Sequence, residues 1–160
     1  AIIGSSMPKW TGSWSNSISY KGFDLTTFLY VRQGATITSS AYVASLGGRY
    51  QCLDVNYWTP THSDKLNANY PRPSTDWENP EYISTLTHVD GSFVKLRNVT
   101  LSYTLPMKYV SRLNMNNLRV YISAQDPIVW TKFKGLDPEG NTGNDTPSIK
   151  LFTLGLNATF

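Results

Sequence analysis

The final stretch of the chain, residues 148–160, alternates between apolar and polar side chains. One set of alternate positions is apolar: Phe152, Leu154, Leu156, Ala158 and Phe160. The positions between them are Thr153, Gly155, Asn157 and Thr159. A period of two predicts a β-strand with one apolar and one polar face. An apolar outer face, a polar inner face and a terminal aromatic residue are typical of a strand in an outer-membrane β-barrel.

Four earlier stretches alternate in the same way, and they predict strands at 12–20, 23–33, 92–104 and 118–126. Two of these strands have clearly polar faces, whose members are Ser13, Ser15, Ser17, Ser19, Arg119, Tyr121 and Gln125. In a barrel such a face points into the lumen. The predicted fold class is therefore all-β, with five antiparallel strands.

The connections between the predicted strands alternate in length. Lys21 and Gly22 form a predicted tight turn, because glycine adopts positive φ angles easily. A medium connection after the third strand contains a predicted helical turn around 108–113. The segments 34–91 and 127–147 are predicted long loops, since both are rich in glycine and proline.

Aromatic residues at the strand ends give a second test of the barrel interpretation. If the chain ends on the periplasmic side, both long loops lie outside the cell, which is the loop asymmetry of bacterial barrels. Four aromatic side chains then fall at periplasmic strand ends on outward faces: Tyr20, Phe23, Tyr103 and Phe160. We predict that they form a girdle at the lipid–water boundary, where such rings are favoured.

Five strands cannot close into a barrel, and an open sheet would leave unpaired backbone groups that lipid cannot hydrogen-bond. We therefore expect the sequence to be the C-terminal segment of a longer chain. It opens with AIIGSSMPKW, which lacks the basic and apolar regions of a signal peptide. No apolar run reaches the roughly 18–20 residues that a membrane helix needs.

The composition agrees with an all-β protein, because 10 Tyr, 6 Phe and 5 Trp accompany only 16% charged residues. The net charge of +3 comes without a run of Lys and Arg, so nucleic acid is not an expected partner. Cys52 is the single cysteine, which excludes an intrachain disulfide and a cysteine-based zinc site.

Catalytic motifs are absent from the sequence, which contains no GxSxG, HExxH or P-loop. His62 and His88 have no partners at metal-ligand spacing, and we interpret them as surface histidines. Four loop carboxylates match the residue types of a glycosidase pair without any specific spacing. They are Asp54, Asp76, Glu78 and Glu81. We predict that the protein is not an enzyme.

The segment DPEGNTGND supplies oxygen ligands and flexible glycines of the kind that bind Ca²⁺. Its candidate ligands are Asp137, Glu139, Asn141, Asn144 and Asp145. Their spacing does not match an EF-hand loop. Ca²⁺ therefore stays an alternative, and the prediction is that the chain holds no cofactor and no metal.

Several distinctive motifs follow one another along the chain. The most specific is VDGSFVKLRNVTLSYTLP at 89–106. The others are GSSMPKWTGSWSNSISYKGFDLTTFLYVRQG at 4–34, NYWTP at 56–60, NYPRP at 69–73, LRVYISAQDPIVWTKFKGLDPE at 118–139 and the terminal LGLNATF. Together they resemble the C-terminal part of SusC/RagA-type TonB-dependent transporters of Bacteroidetes, over nearly the whole chain.

The resemblance implies an outer-membrane β-barrel of about 22 strands around a plug domain, of which this chain would supply the last five strands. It also implies energy from TonB, a SusD-like surface lipoprotein that covers the barrel, and import of glycans or peptides. The polar side chains of the wall would then line the solute path or hold the plug. The plug and the TonB box would lie outside this sequence.

Aromatic side chains in the first long loop are the substrate-binding candidates: Tyr57, Trp58, Tyr70 and Trp77. Their rings can stack on the apolar faces of sugars. Alternatively, they pack the loop against itself or against the lipoprotein. We favour packing, because the motifs NYWTP and NYPRP recur across the resembled family, whereas specificity residues in loops vary.

We predict a part of a TonB-dependent importer of glycans or peptides in the bacterial outer membrane. The alternative is a soluble β-sandwich carbohydrate-binding module, which would bury the apolar face of the last strand against a second sheet. A small autonomous barrel acting as an adhesin or an enzyme is a third interpretation. It conflicts with the even strand counts of bacterial single-chain barrels.

Overall fold

The computed structural model describes residues 4–39, 56–60, 68, 70, 85–111, 114–139 and 147–160. The chain forms two compact units. The first, which we call the sheet unit, contains Thr11–Arg32, Phe93–Trp130 and Ser148–Phe160. The second, which we call the loop unit, contains the described residues of 1–10, 33–92 and 131–147.

Seven strands and one short helix lie in the described part of the chain. They are β1 (Trp10–Tyr20), β2 (Phe23–Gln33), β3 (Thr36–Thr38), β4 (His88–Asp90), β5 (Phe93–Thr104), α1 (Met107–Val110), β6 (Asn117–Thr131) and β7 (Leu151–Thr159). Five strands form one sheet in the order β1-β2-β5-β6-β7, and β3 pairs with β4. The pairs β2–β5 and β6–β7 are antiparallel, so the predicted all-β antiparallel architecture is confirmed.

The hairpin between β1 and β2 has the predicted tight turn. Lys21 and Gly22 both have positive φ angles, of 47° and 86°. Two successive positive φ angles are typical of a type I′ turn, whose twist matches that of the flanking strands. A Cβ on Gly22 would also come within 2.9 Å of the Thr104 carbonyl oxygen, so a larger residue is disfavoured there.

Strands β2 and β5 pair with their apolar positions on one face. Leu25 lies opposite Leu101, and Leu29 lies opposite Leu96. Between these pairs the register shifts, so that Arg97 is an extra residue of β5. This β-bulge keeps the apolar face continuous on both sides of the shift.

The fourth strand of the sheet differs from its prediction. Strand β6 continues to Thr131, so the predicted end at Asp126 and the predicted loop start at Pro127 were wrong. Asp126 has a positive φ of 49°, a conformation that aspartate tolerates, and the chain passes Pro127 after this irregularity. The pairing of β6 with β7 ends at Gln125 and Leu151, so Pro127 lies beyond it, where its missing N–H is not needed by β7.

Other boundaries move by smaller amounts. Strand β1 begins at Trp10 rather than at residue 12, and β5 begins at Phe93 rather than at 92. Strand β7 is Leu151–Thr159, shorter than the predicted 148–160. The predicted helical turn is α1, which ends with the buried Val110. Among the described residues, no helix combines the length and hydropathy of a transmembrane helix.

The loop unit has a core of its own, although the sequence predicted only a long loop at 34–91. Ile37 of β3 lies opposite Val89 of β4, and the Gly91 N–H donates to the Ala35 carbonyl oxygen at 2.8 Å. Ile37 and Phe133 are buried together. The segment therefore contains packed β-structure in its described part.

Candidate functional site

The apolar face of the sheet unit is the exposed one. Leu154 is 77% exposed and Phe152 is 67% exposed. The register places these two side chains beside Ile122 and Ala124 of β6, on one face. Large apolar side chains in a continuous exposed band mark a surface that meets another apolar medium.

The opposite face of the sheet is polar, and parts of it are buried. Ser102 is 1% exposed, and the Arg119 Nη2 donates to its Oγ at 2.7 Å. Arg119 also lies 3.9 Å from the Asp24 carboxylate, and the Ser19 hydroxyl donates to Asp24 at 2.5 Å. This network connects four strands through side chains, because its members come from β1, β2, β5 and β6.

Hydroxyl and amide groups continue this polar face across β5 and β6. The Thr100 hydroxyl donates to the Ser123 Oγ at 3.1 Å, and the Ser123 hydroxyl donates to the Asn98 Oδ1 at 3.2 Å. The same face contains a cavity of about 360 Å³. Its described lining residues are Arg97, Asn98, Ser123, Gln125, Leu151 and Thr153.

Cationic and aromatic side chains alternate on the polar face of β2 and β5. The Arg32 guanidinium lies 4.8 Å from the centre of the Phe93 ring, and the Lys95 ammonium lies 5.7 Å from it. The Tyr30 and Phe93 rings are 5.8 Å apart, and the Arg97 guanidinium lies 5.5 Å from the Tyr30 ring. Rings in such positions stabilise cations that are partly removed from water.

Arg97 forms an ion pair with Asp126 of β6, with 3.6 Å between the charged atoms. Side-chain exposure is 32% for Arg97 and 13% for Asp126, so the pair is more shielded than a surface salt bridge. Both residues sit at backbone irregularities, the bulge of β5 and the positive φ of β6. The ion pair therefore depends on features that alternation alone does not encode.

A close packing arrangement joins β6 to β7. Tyr121 lies opposite Gly155 in the register. A Cβ on Gly155 would overlap the Tyr121 side chain, whose Cζ, Oη and Cε1 atoms would lie at 2.2–2.4 Å. The ring therefore lies over the glycine, and only glycine leaves room for it.

The residues predicted to face the lumen are placed on the polar face by their strand partners. Ser19 contacts Asp24, Arg119 contacts Ser102, Tyr121 covers Gly155, and Gln125 lines the cavity. The other predicted members, Ser13, Ser15 and Ser17, are exposed residues of β1. Contact with a solute or a plug stays a prediction for all seven.

Sequence reasoning left several members of this face out of the candidate set. They are Asp24, Tyr30, Arg32, Phe93, Lys95, Arg97, Asn98, Thr100, Ser102 and Ser123. The available signal was charge inside an alternating strand, as at Asp24, Arg32 and Lys95. A charged side chain on a barrel strand belongs to the lumen face, where it needs a partner.

The predicted aromatic girdle gathers at one end of the strands. Tyr20 and Phe23 flank the Lys21-Gly22 turn, and the Phe23 and Tyr103 ring centres are 4.4 Å apart. Tyr20, Phe23 and Phe160 are exposed. The Lys21 ammonium lies 5.1 Å from the Tyr20 ring. The location of these rings at a lipid–water boundary stays a prediction.

The aromatic candidates for substrate binding in the first long loop differ in how far they are buried. Tyr57 and Tyr70 form an isolated parallel β-bridge and pack against Ile37 and Phe133. The backbone supports the bridge, because the Trp58 N–H donates to the Tyr70 carbonyl oxygen at 2.9 Å. Burial raises the pKa of the Tyr70 phenol. These contacts agree with the packing interpretation of Tyr57 and Tyr70.

Trp58 is the member of this set that the structure leaves exposed. Trp77, the fourth candidate, lies outside the described residues. A substrate-binding role stays a prediction for all four aromatics.

Metal-binding groups do not cluster in the described residues, where no three His, Cys, Asp or Glu side chains come together. In the segment considered for Ca²⁺, the Asp137 carboxylate accepts the Glu139 N–H at 2.9 Å. The remaining candidate ligands, Asn141, Asn144 and Asp145, lie outside the described residues, as does His62. The absence of a cofactor therefore stays a prediction.

Comparison with known proteins gives related sequences over almost the whole chain. No family model matches the chain. TonB-dependent receptor P3 of Formosa agariphila is 30% identical, over 99% of this chain and 17% of the receptor. TonB-dependent receptor P26 of the same organism is 25% identical, over 99% of this chain and 18% of the receptor. The chain thus spans less than a fifth of the length of these relatives.

A third relative and the solved structures agree with these two. TonB-dependent receptor SusC of Bacteroides thetaiotaomicron is 33% identical over 50% of this chain and 8% of the receptor. The RagAB peptide importer in its open-open state matches 99% of this chain and 18% of its own, with a TM-score of 0.76 and 29% identity. Its closed-closed state gives a TM-score of 0.75 and 28% identity. The fold of the chain is therefore that of a segment of a large barrel.

Proposed function

We propose that this chain, which belongs to the SusC/RagA-type family of TonB-dependent outer-membrane transporters, forms part of the wall of a nutrient importer. The predicted family, barrel fold and outer-membrane location are confirmed by the relatives. Because the chain is less than a fifth of those relatives, the activity of the whole protein is our proposal.

The reversed burial of the sheet unit is the observation that carries this proposal. In a protein surrounded by water, leucine and phenylalanine are buried and serine and lysine are exposed. Here Leu154 and Phe152 are exposed, whereas Ser102 and Lys95 are buried on the other face. A β-sandwich would cover Leu154 with a second sheet, so the exposed face argues against the carbohydrate-binding module. A wall between lipid and a polar lumen requires the arrangement that is found.

The transport step in this proposal divides the work between a static wall and moving parts. The network of Ser19, Asp24, Ser102 and Arg119 connects four strands, and it would keep the wall rigid while a plug moves. TonB would supply the energy for that movement, and a SusD-like lipoprotein would cover the extracellular opening. The chain carries no catalytic motif, so we propose transport without chemical change of the solute.

The solute is proposed to be a glycan or a peptide. RagAB is a peptide importer, and SusC is a TonB-dependent receptor. Trp58 is an exposed ring of the loop unit, and it is the aromatic that we propose for contact with the solute. Tyr57 and Tyr70 would support it from the core of that unit.

Uptake by cells that express the full-length protein tests this function. The full-length chain and its neighbouring lipoprotein would be expressed in a host that lacks its own importer of this family. Labelled oligosaccharides and peptides would then be offered, with a host lacking TonB as the control. We expect TonB-dependent uptake of one class. Uptake of both classes at the level of cells without the importer would refute the proposal.

A further inference from the structure

We propose that one end of the sheet unit binds the phosphate of an anionic membrane phospholipid through Lys21. This end, which we call the turn end, consists of the Lys21-Gly22 turn, Tyr103 and Thr104 of β5, and helix α1. The inference rests on the proposed wall function, because that function places the apolar face in lipid. It goes further by assigning a site at the edge of that face and the chemical class of its ligand.

The backbone brings the two connections of the turn end together. The Thr104 N–H donates to the Gly22 carbonyl oxygen at 2.8 Å, so the β1–β2 turn lies against the last residue of β5. Helix α1 begins three residues after Thr104, and its Lys108 is exposed. Four residues of chain span at most about 14 Å, so Lys108 belongs to the same end of the strands as Lys21.

Aromatic rings place the Lys21 ammonium at the edge of the apolar face. The ammonium lies 5.1 Å from the centre of the Tyr20 ring, and Tyr20 is 66% exposed. Phe23 follows the turn, lies opposite Tyr103 in the register and packs its ring 4.4 Å from that of Tyr103. Lysine meets a bilayer in this way, with its apolar stem and the neighbouring rings at the hydrocarbon boundary and its charge among the headgroups.

Charged side chains are distributed unevenly over the sheet unit. Its described acidic residues are Asp24 and Asp126, and both are in ion pairs on the polar face. Exposed lysines stand at the ends of the strands: Lys21 and Lys108 at the turn end, and Lys150 before β7 at the opposite end. The apolar side of the turn end therefore carries positive charge, and no described acidic side chain there neutralises it.

An anionic phospholipid complements both parts of the turn end. Its phosphate oxygens are strong acceptors for an ammonium group, and its acyl chains continue along the apolar face beside the Phe23 and Tyr103 rings. The location of the protein in the outer membrane supplies such a surface. Because the turn end is the predicted periplasmic end of the strands, the phospholipid belongs to the periplasmic leaflet. A partner protein would have to displace lipid from the exposed rings before it could reach Lys21.

Photocrosslinking of a lipid to the full-length protein tests the site. The protein would be reconstituted in phosphatidylcholine vesicles containing phosphatidylglycerol with a photoreactive headgroup, and crosslinked residues would be identified by mass spectrometry. We expect crosslinks at residues 20–23, with a yield that falls about fivefold in Lys21→Gln, because one cation near an anionic surface contributes about that factor. The variant Lys21→Gln/Lys108→Gln should lower the yield further. Lys150→Gln, at the opposite end of the strands, is the matched control and should leave this yield unchanged.

The lipid probe itself provides a second control. A photoreactive phosphatidylcholine, whose choline neutralises the phosphate, should crosslink to residues 20–23 less than the phosphatidylglycerol probe does. Raising the salt concentration should reduce this preference, because exposed charges are screened. Equal yields from the two probes would overturn the proposal, as would a phosphatidylglycerol yield that is the same in Lys21→Gln as in the wild type.

Two further measurements separate this site from other occupants and from the wall function. A photoreactive amino acid in place of Phe23 would be crosslinked in living cells, where attachment to a protein instead of lipid would overturn the proposal. A spin label at Leu154 in the same vesicles reports whether the apolar face meets lipid. Lipid contact at Leu154 without headgroup crosslinks at residues 20–23 refutes the headgroup site alone, whereas water around Leu154 refutes the wall function and this inference together.

Discussion

The loop unit and the sheet unit use apolar side chains in opposite ways. In the loop unit, Ile37 is 3% exposed and Phe133 is 7% exposed, as in a protein core surrounded by water. In the sheet unit, Leu154 is 77% exposed and Ser102 is 1% exposed. One chain therefore follows two rules of burial. The difference indicates that the medium outside the sheet is apolar, whereas the loop unit meets water.

Two phenylalanines, one in each unit, give the largest expected difference. Phe133→Ala should leave a cavity beside Ile37 and destabilise the loop unit by about 3–5 kcal/mol. Phe152→Ala, on the exposed face, leaves no cavity and should have a smaller effect. Hydrogen exchange of the β3 and β4 amides in the full-length protein measures the first change. Equal effects of both variants on these amides would break the distinction between the units.

Charge on the apolar face should be the next largest effect. Leu154→Arg would place a guanidinium in hydrocarbon, at a cost of about 2–4 kcal/mol near the middle of the bilayer. Ser17→Arg, on the polar face of β1, is the matched control and should change stability by less than about 1 kcal/mol. Denaturant titration of the full-length protein in lipid vesicles measures both. If Leu154→Arg lowers the free energy of unfolding no more than Ser17→Arg does, the interpretation of an apolar medium outside the sheet is wrong.

Substitution of Gly155, which lies under the Tyr121 ring, should have an intermediate effect on stability. Gly155→Ala would place a methyl group against that ring and destabilise the β6–β7 pair by about 1–3 kcal/mol. Tyr121→Ala in the same protein removes the obstacle, so the double variant should lose less than the sum of the two single variants. Additive effects, measured by the same titration, would show that the ring does not depend on the glycine.

Of these changes, loss of the more exposed ion pair of the polar face, Asp24 with Arg119, should give the smallest effect. Asp24→Asn removes a charge that lies 3.9 Å from Arg119, and both side chains are about one-third exposed or more. We expect a loss below about 1 kcal/mol, which shrinks further at high salt. Ser19→Ala, which removes the hydrogen bond that the Ser19 hydroxyl donates to Asp24, is a charge-neutral control whose effect should not depend on salt. A salt-independent loss in Asp24→Asn would contradict the electrostatic interpretation.

Much of the sheet could be predicted from local sequence because its two faces meet different media. The alternation of Phe152, Leu154 and Leu156 with Thr153 and Asn157 is confirmed by the register of β7 on β6. The same reasoning placed the turn at Lys21-Gly22, since only a few residue types accept two positive φ angles.

The boundaries were wrong where the structure depends on neighbouring strands. Asp126-Pro127 normally ends a strand, but β6 continues past it because the pairing with β7 has already ended at Gln125. The bulge at Arg97 has a signal in the sequence that the strand prediction did not use: the apolar positions change from Val94 and Leu96 to Val99 and Leu101, across two consecutive polar residues.

The candidate site was only partly accessible to sequence reasoning for a similar reason. Arg119 and Gln125 could be assigned to the polar face by periodicity. The contacts of Arg119 with Ser102 and Asp24 could not be predicted, because they depend on how neighbouring strands align, and the sequence of one strand does not give that register. The packing of Tyr57 and Tyr70 on Ile37 joins distant segments, so composition alone left it as one of two alternatives.

Accessibility of two neighbouring positions on β7 tests the central claim most directly. Spin labels would be attached at Leu154 and at Asn157 of the full-length protein in lipid bilayers. These residues lie opposite Ile122 and Arg119, on the two faces of the sheet. The label at Leu154 should collide with lipid-soluble oxygen, and the label at Asn157 should be protected from it. Equal accessibility to oxygen at both positions would contradict a sheet that separates lipid from a polar interior.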